Sequence, residues 1–253
     1  MKLLLVRHAE PDYAIDGLTE KGKVEAELLS RRLAPLDPQV TAYYCSPLGR
    51  ACRTAEYTLN KVGRTAEILP WLAEFRGREY DPMAGRERIP WDFRPCQWKG
   101  KPLLHHPEQW VEDPLFEGGT VGEIWEETKA GVDALLARHG YVRDGQIFRC
   151  DDNREDIIVM FCHFGILTAV LGAITGLSPM PLWHAFCAAP SSVTTLVTEE
   201  RVKGEVVFRC SGFGDISHLY AGGEPMSTAA LYCEVYDGRD STRPIAWDLH
   251  QPD

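Results

Sequence analysis

The sequence predicts an α/β fold, a three-layer sandwich on a mostly parallel central sheet, with an inserted lid subdomain at about residues 76–119. Three observations carry that reading. Short, largely apolar runs recur at residues 3–6, 40–45 and 156–162. Segments of helical periodicity lie between them, and such alternation marks strands joined by crossover helices. A stretch without sustained period then interrupts the alternation at 76–119. The length of 253 residues suits one large domain, or one domain carrying a lid.

Residues 3–6, Leu-Leu-Leu-Val, read as a strand covered on both faces, because a half-exposed strand would alternate with polar residues. Residues 18–33 read as a helix with Thr19 as N-cap and with Val24, Leu28, Leu29 and Leu33 at helical spacing. Residues 40–45 form the second strand. Ser46-Pro47 opens the next helix, to about Leu59, since proline lacks only a donor that the first turn leaves unused. Residues 65–69 form a short strand. The 76–119 stretch holds Pro82, Pro90, Pro95, Pro102, Pro107 and Pro114 together with Trp91, Trp98 and Trp110. An irregular segment of that length is uncommon unless it works as a lid, here one built of short helices. Residues 120–139 form an amphipathic helix with Ile124, Val132, Leu135 and Leu136 near one face. Residues 156–162 are the clearest strand; His163 follows, then an apolar helix to about Gly176. Residues 193–198 and 206–209 pair as a hairpin across a polar turn containing Gly204. In the tail, residues 229–235 suggest a further strand and 242–248 a surface extension.

Composition narrows the function. A net charge of −10 is a poor match for general nucleic-acid or anionic-membrane binding, yet leaves room for a local basic pocket. The longest apolar stretch, 166–174, is too short to span a bilayer, and the apolar start is broken by Arg7 too early for a signal-peptide core. Of the 8 cysteines no pair has C-x-x-C spacing, and several lie in apolar runs, where cysteine behaves as a small hydrophobe. A soluble cytoplasmic protein with reduced thiols is the expectation. His105-His106 lacks the spacing of a metal pair. No metal, cofactor, nucleic acid or membrane partner is expected, and self-association as a homo-oligomer is left open.

The chemistry gathers at strand ends. Arg7 and His8 follow the first strand, Ser46 and Arg50 the second, and His163 the 156–162 strand. In a parallel sheet these ends share one edge, where ligands bind. Two arginines, two histidines and two helix N-termini meeting there make an anion site, and phosphate fits the guanidinium fork best. A neutral imidazole is a competent nucleophile toward phosphorus, and Arg7, Arg50 and His163 can stabilise the oxygens of the transferred group. The leaving alkoxide needs a proton, and Glu74, in the apolar setting Trp71-Leu72-Ala73-Glu74-Phe75, is the candidate donor. Taken singly each of these residues is ordinary; their joint placement makes the case.

At these residues the chain resembles the histidine phosphatase superfamily, the clan that includes cofactor-dependent phosphoglycerate mutase. Arg7-His8-Ala9-Glu10 is similar to the Arg-His-Gly motif, Leu18-Thr19-Glu20-Lys21-Gly22 to the Leu-Thr-x-x-Gly segment, and Ser46-Pro47-Leu48-Gly49-Arg50-Ala51 with Thr54-Ala55 to the Ser-Pro-Leu-x-Arg-Ala-x-x-Thr-Ala signature. Cys162-His163-Phe164-Gly165 resembles the second histidine motif. The resemblance implies a phosphoglycerate mutase-like fold, with residues 1–253 forming a single domain of this kind. It implies His8 as the phosphorylated nucleophile, Arg7, Arg50, His163 and Ser46 around the phosphate, Glu74 as proton donor, and no metal. The departures are Ala9 and Phe164 where glycine is usual, and Ala14 where a small polar residue is common.

The expected activity is a metal-independent phosphomonoester hydrolase acting through phosphohistidine on a small phosphorylated metabolite. A mutase is the first alternative, although the short 11–17 loop lacks the longer Gly-Trp loop of the mutases. An inert binding protein on the same fold and a phosphoprotein phosphatase are the others. In the 76–119 segment Arg76, Arg78, Arg86, Arg88, Arg94, Lys99 and Lys101 outnumber Glu79, Asp81, Glu87 and Asp92. The segment is expected to cover the substrate and read its non-phosphate part.

Overall fold

The structure, a computed structural model, describes residues 1–229; the tail elements expected beyond residue 229, and Cys233, lie outside the described residues. In chain order the strands are β1 (Lys2–Arg7), β2 (Pro11–Asp12), β3 (Gly17–Leu18), β4 (Val40–Cys45), β5 (Glu67–Ile68), β6 (Glu79–Asp81), β7 (Arg86–Arg88), β8 (Val142–Asp144), β9 (Ile147–Arg149), β10 (Ile157–Cys162), β11 (Val193–Val202) and β12 (Glu205–Asp215). The α-helices are α1 (Glu20–Leu33), α2 (Gly49–Val62), α3 (Pro95–Trp98), α4 (Val121–Arg138), α5 (Phe164–Thr175), α6 (Pro179–Ala185) and α7 (Ser217–Gly222).

An 8-stranded sheet in the order β5-β4-β10-β1-β11-β12-β9-β8 forms the centre. β1, β10, β4 and β5 pair in parallel, and the site grows from that block. β11 runs antiparallel to β1, and β12, β9 and β8 follow by antiparallel pairing. β11 and β9 are therefore the strands that oppose the common direction, and the sheet is mixed but mostly parallel, as predicted.

Side chains of a strand alternate between faces, and here both faces are covered. Leu3, Leu5, Ile158 and Met160 pack with Val132, Leu136, Ile166 and Val170 on the α4–α5 side. Leu4, Val6, Val159 and Phe161 pack with Leu29, Leu33, Ala51 and Ala55 on the α1–α2 side. That is why these strands read as unbroken apolar runs, and it produces the three layers. α5 is buried from Gly165 to Ile174, consistent with a helix apolar on every side.

Several expected details shift. Thr19 caps α1 as predicted, accepting from the Gly22 amide at 3.0 Å. The buried face of α1, however, carries Gly22, Glu25, Ala26 and Leu29, and Val24 points to solvent. Gly22 sets that rotation: a Cβ there would lie 2.2 Å from the Glu10 carbonyl oxygen, so the helix packs through its glycine. α2 begins at Gly49 rather than at Ser46-Pro47, because the Ser46 hydroxyl is engaged at the site. The 65–69 strand contracts to an exposed edge pair, and the β11–β12 hairpin runs further than expected. The β8–β9 hairpin, α6 and α7 have no counterpart in the sequence reading; short edge strands and helices of six or seven residues leave little periodicity in the sequence.

The 76–119 segment contains the β6–β7 hairpin, α3 and short turns that start at prolines. It is anchored by Phe93, Trp98, Leu104, Trp110 and Phe116, all part of the larger core. The Trp110 ring lies 5.6 Å from the rings of both Trp125 and Trp183. Several of its cations are fastened: Arg88 to Asp81 at 3.3 Å with both side chains buried, Lys101 to Asp113 at 2.7 Å and Arg76 to Glu127 at 2.5 Å. Trp110→Ala is therefore expected to destabilise the whole protein by about 3–5 kcal/mol in urea unfolding; a loss below about 1 kcal/mol would show the segment to be loosely attached.

Candidate active site

Register brings the predicted residues together. Arg7 pairs with Cys162 across β1–β10, and Phe161 with Cys45 across β10–β4. The ladder continues one step beyond the strands: the His8 amide donates to the Cys162 carbonyl and the Ser46 amide to the Phe161 carbonyl, each at 2.9 Å. His8, His163 and Ser46 thus leave the sheet at one level.

Each side chain is then fixed locally. His8 Nδ1 donates to the Ala9 carbonyl at 2.7 Å. A carbonyl only accepts, so the proton sits on Nδ1 and Nε2 keeps its lone pair. Burial, Arg7 and Arg50 hold the His8 pKa well below the usual histidine value, so the ring is neutral. The His163 ring lies 5.0 Å from it, centroid to centroid, and is likewise neutral through burial, His8, Arg50 and Arg7. His163 Nε2 is 2.6 Å from the Ser46 hydroxyl, whose oxygen accepts from the Leu48 amide. Arg7 is buried, donates from Nη1 to the Ala188 carbonyl at 2.5 Å and lies 5.8 Å from the Phe164 ring. Arg50 donates from Nη1 to Asp16 Oδ1 at 2.7 Å and stacks 5.4 Å from the Tyr13 ring.

The remaining nitrogens of these residues are informative. Arg7 Nε, Arg50 Nε and His163 Nδ1 are buried and have no hydrogen-bond partner among the described residues. A buried donor left unpaired costs about 1–3 kcal/mol. All three belong to residues predicted to surround the phosphate.

Glu74 follows a turn at Pro70–Leu72. Its Oε1 accepts from the Phe75 amide at 2.8 Å and from the Ile166 amide, in the first turn of α5, at 3.0 Å. Burial raises its pKa despite those two amides and the nearby Arg50 and Arg7. Gly165 allows this approach: a Cβ there would lie 2.7 Å from Glu74 Oε1 and 2.2 Å from the Trp91 ring. A cavity of about 390 Å³ opens over the site. Arg7, Arg50 and Glu74 line it, Tyr13, Leu48, Phe164, Ile89 and Trp91 form its walls, and Arg76 and Arg78 reach it from the 76–119 segment.

All five predicted catalytic residues and Ser46 therefore meet. Asp16, Tyr13 and Trp91 were missed. Asp16 holds both the Arg50 guanidinium and, at 2.6 Å, the Gly49 amide, and takes a left-handed φ of 46°. Only the turn-forming run from Asp12 to Gly17 hinted at such a loop. Thr54 ties the two motifs, accepting from the Ala9 amide at 2.9 Å and donating to the Arg50 carbonyl at 2.8 Å. His105 and His106 are not part of any metal-holding group: no cluster of three or more His, Cys, Asp or Glu suited to a metal occurs among the described residues. No helix among them is long and apolar enough to cross a membrane.

Fold and site together define an α/β protein with two histidines and two arginines gathered at the carboxyl edge of its parallel strands. The chain belongs to the histidine phosphatase superfamily, branch 1, whose family model matches residues 3–209. No curated protein sequence matches it. Among solved structures it is similar to a phosphoserine phosphatase variant from Entamoeba histolytica in complex with phosphoserine, at 20% identity over 86% of this chain and 98% of that one, TM-score 0.53. It is also similar to a mycobacterial glucosyl-3-phosphoglycerate phosphatase, at 20% identity over 84% of this chain and 98% of that one, TM-score 0.53. At that identity the likeness speaks for the fold.

Beneath the site the fully buried Glu25 accepts from the Glu10 amide at 2.8 Å, and burial raises its pKa from 4.5 to about 7. The native state therefore favours the protonated carboxyl. Its contribution to stability is complete below about pH 4.5 and is lost as the pH rises through 7. Glu25→Gln is expected to be the more stable protein at pH 8, by on the order of 3 kcal/mol, with the difference shrinking toward pH 5. Thermal unfolding at both pH values checks this; equal differences would show that Glu25 is not buried as a neutral acid.

Proposed function

We propose that this protein is a phosphomonoester hydrolase that works through a phosphohistidine on His8, with a small phosphorylated metabolite as substrate. The observation that carries the reading is the trio of unpartnered buried donors on Arg7, Arg50 and His163 beside an imidazole whose Nε2 is held unprotonated.

In the first step His8 Nε2 forms the N–P bond while the ester P–O bond breaks, and Glu74 gives its proton to the departing alkoxide. Arg7, Arg50 and His163 hold the three equatorial oxygens of the transferring group. Ser46 orients His163: donating its hydroxyl proton to Nε2 leaves Nδ1–H as a donor to phosphate. In the second step the Glu74 carboxylate takes a proton from water, the water oxygen bonds to phosphorus and the N–P bond breaks. Inorganic phosphate leaves, and His8 and Glu74 return to their starting forms. The 76–119 segment acts as a lid that surrounds the substrate body. The phosphatase names of the similar structures support this reading.

The steps fix the pH dependence. Turnover needs neutral His8, available above its depressed pKa, and protonated Glu74, available below its raised one. The kcat/KM profile is expected to be bell-shaped, rising through the depressed His8 pKa and falling as the pH rises through the raised Glu74 pKa, so that its alkaline limb lies above the range of an ordinary carboxyl. Glu74→Gln is expected to slow cleavage of an alkyl phosphate by about 10²–10⁴-fold. A burst of nitrophenol from p-nitrophenyl phosphate should survive, since that leaving group needs little proton donation. The decisive experiment traps a labelled phosphoenzyme: acid-labile label on wild type and none on His8→Ala supports the mechanism. Turnover retained by His8→Ala would refute it.

A further inference from the structure

We propose that Ser191 and His218 are positioning residues: together they hold the backbone that carries His8, and so aim its imidazole at the phosphoryl group. The proposal rests on the hydrolase reading and adds to it two residues that touch no substrate.

The peptide joining His8 to Ala9 is clamped at both ends. Its carbonyl accepts from the Ser191 amide at 3.0 Å, and its amide donates to the Thr54 hydroxyl at 2.9 Å. His8 Nδ1 is tied to the next carbonyl, that of Ala9, so the ring turns with this stretch of backbone. Ser191 belongs to a loop that grips the end of β1 three times. Besides the His8 contact, the Ser192 carbonyl accepts from the Arg7 amide at 3.0 Å and the Ala188 carbonyl from Arg7 Nη1 at 2.5 Å. The loop turns at Ser191, whose φ of 60° is left-handed. The other non-glycine residue with positive φ among the described residues is Asp16, which holds Arg50. Left-handed backbone in such residues persists only where the surroundings fix it, and it collects at functional sites. Here one such residue stands behind each half of the phosphate site.

His218 is what fixes Ser191. Its Nε2 lies 3.0 Å from the Ser191 hydroxyl, and both residues are buried. The sheet delivers the imidazole to that place. Val193 pairs with Asp215 across β11–β12. Asp215 then anchors the start of α7, accepting from the Ser217 amide at 2.7 Å, and ties it to α1 through Arg32 at 2.7 Å. His218 Nδ1 has no partner among the described residues. An imidazole is a costly choice for packing alone, since an apolar side chain would fill the space with no polar atom to desolvate. The contact with Ser191 offsets that cost. Burial chiefly, then Arg32, with Asp215 opposing, lowers the His218 pKa from 6.5 to about 4, so the ring is neutral near neutral pH.

A reacting atom misplaced by about 1 Å can slow an enzyme by roughly 10²-fold. Arg50 and His163 stand on other elements and would keep their hold on phosphate. Losing the Ser191–His218 contact is therefore expected to slow attack by His8 while leaving substrate binding nearly as it was.

The test reads His8 directly as well as turnover. In proton–nitrogen NMR of histidine-labelled protein, the His8 Nδ1–H signal is assigned by its absence from His8→Ala. It is then compared among wild type, Ser191→Ala, His218→Ala, the double variant and His218→Gln. The signal should move in both single variants and no further in the double variant. His218→Gln, whose amide can take the place of Nε2, should bring it back toward wild type. With p-nitrophenyl phosphate, kcat of Ser191→Ala should fall about ten-fold or more while KM stays within about two-fold. Ser191→Ala keeps the Cβ and removes only the hydroxyl, so it remains readable if His218→Ala does not fold. A His8 signal unmoved in Ser191→Ala, or single losses that add in the double variant, would show that the two residues only pack, and would overturn the proposal. A wild type without turnover whose His8 signal still responds as expected would overturn the hydrolase reading and leave the hold on His8 standing.

Discussion

The parallel register of β1, β10 and β4 is the constraint on which the site depends. It places His8, His163 and Ser46 at one level by main-chain hydrogen bonds that continue the ladder past the strand ends. No side-chain interaction could do this as rigidly, because a one-residue slip would turn every side chain to the opposite face. The same slip would exchange the Leu3–Leu5 and Leu4–Val6 sets between the two cores. Hydrophobic burial thus locks the register, and the register aligns the imidazoles. Core packing and the geometry of the predicted site are one constraint here.

Electrostatics oppose that alignment. Buried Arg7 and partly buried Arg50 flank two imidazoles, and like charges do not share a desolvated notch without compensation. The fold compensates in three ways. The Ala188 carbonyl satisfies part of Arg7, and Asp16 neutralises Arg50 from the solvent side. Both histidines stay unprotonated. What is left unsatisfied is the set of three donors on Arg7, Arg50 and His163, a preorganised cost that an anion would offset.

How legible this was follows from the physics of each part. Strands buried on both faces leave an unbroken apolar run, so β1, β4 and β10 could be read, and the strand-end rule then pointed to His8, Ser46, Arg50 and His163. The rotation of α1 could not be read, because it is set by Gly22 against the Glu10 carbonyl, a contact between loop and helix with no periodic signature. Asp16 was hidden for a similar reason: it acts by reaching from the β2–β3 turn to the first turn of α2, and contacts across a fold do not mark a sequence locally. β8, β9 and α7 were too short and too polar to rise above a loop.

Charge composition in the 76–119 segment is the instructive case. Its excess of arginine and lysine invites a single reading, a basic lid over an anionic substrate. The structure divides those charges by task. Arg88 is buried against Asp81, Lys101 is held by Asp113 and Arg76 by Glu127, so these cations fasten the segment to itself and to α4. The net charge of a segment is therefore a poor guide to the field it presents, because a cation already paired with a carboxylate contributes little beyond its own contact.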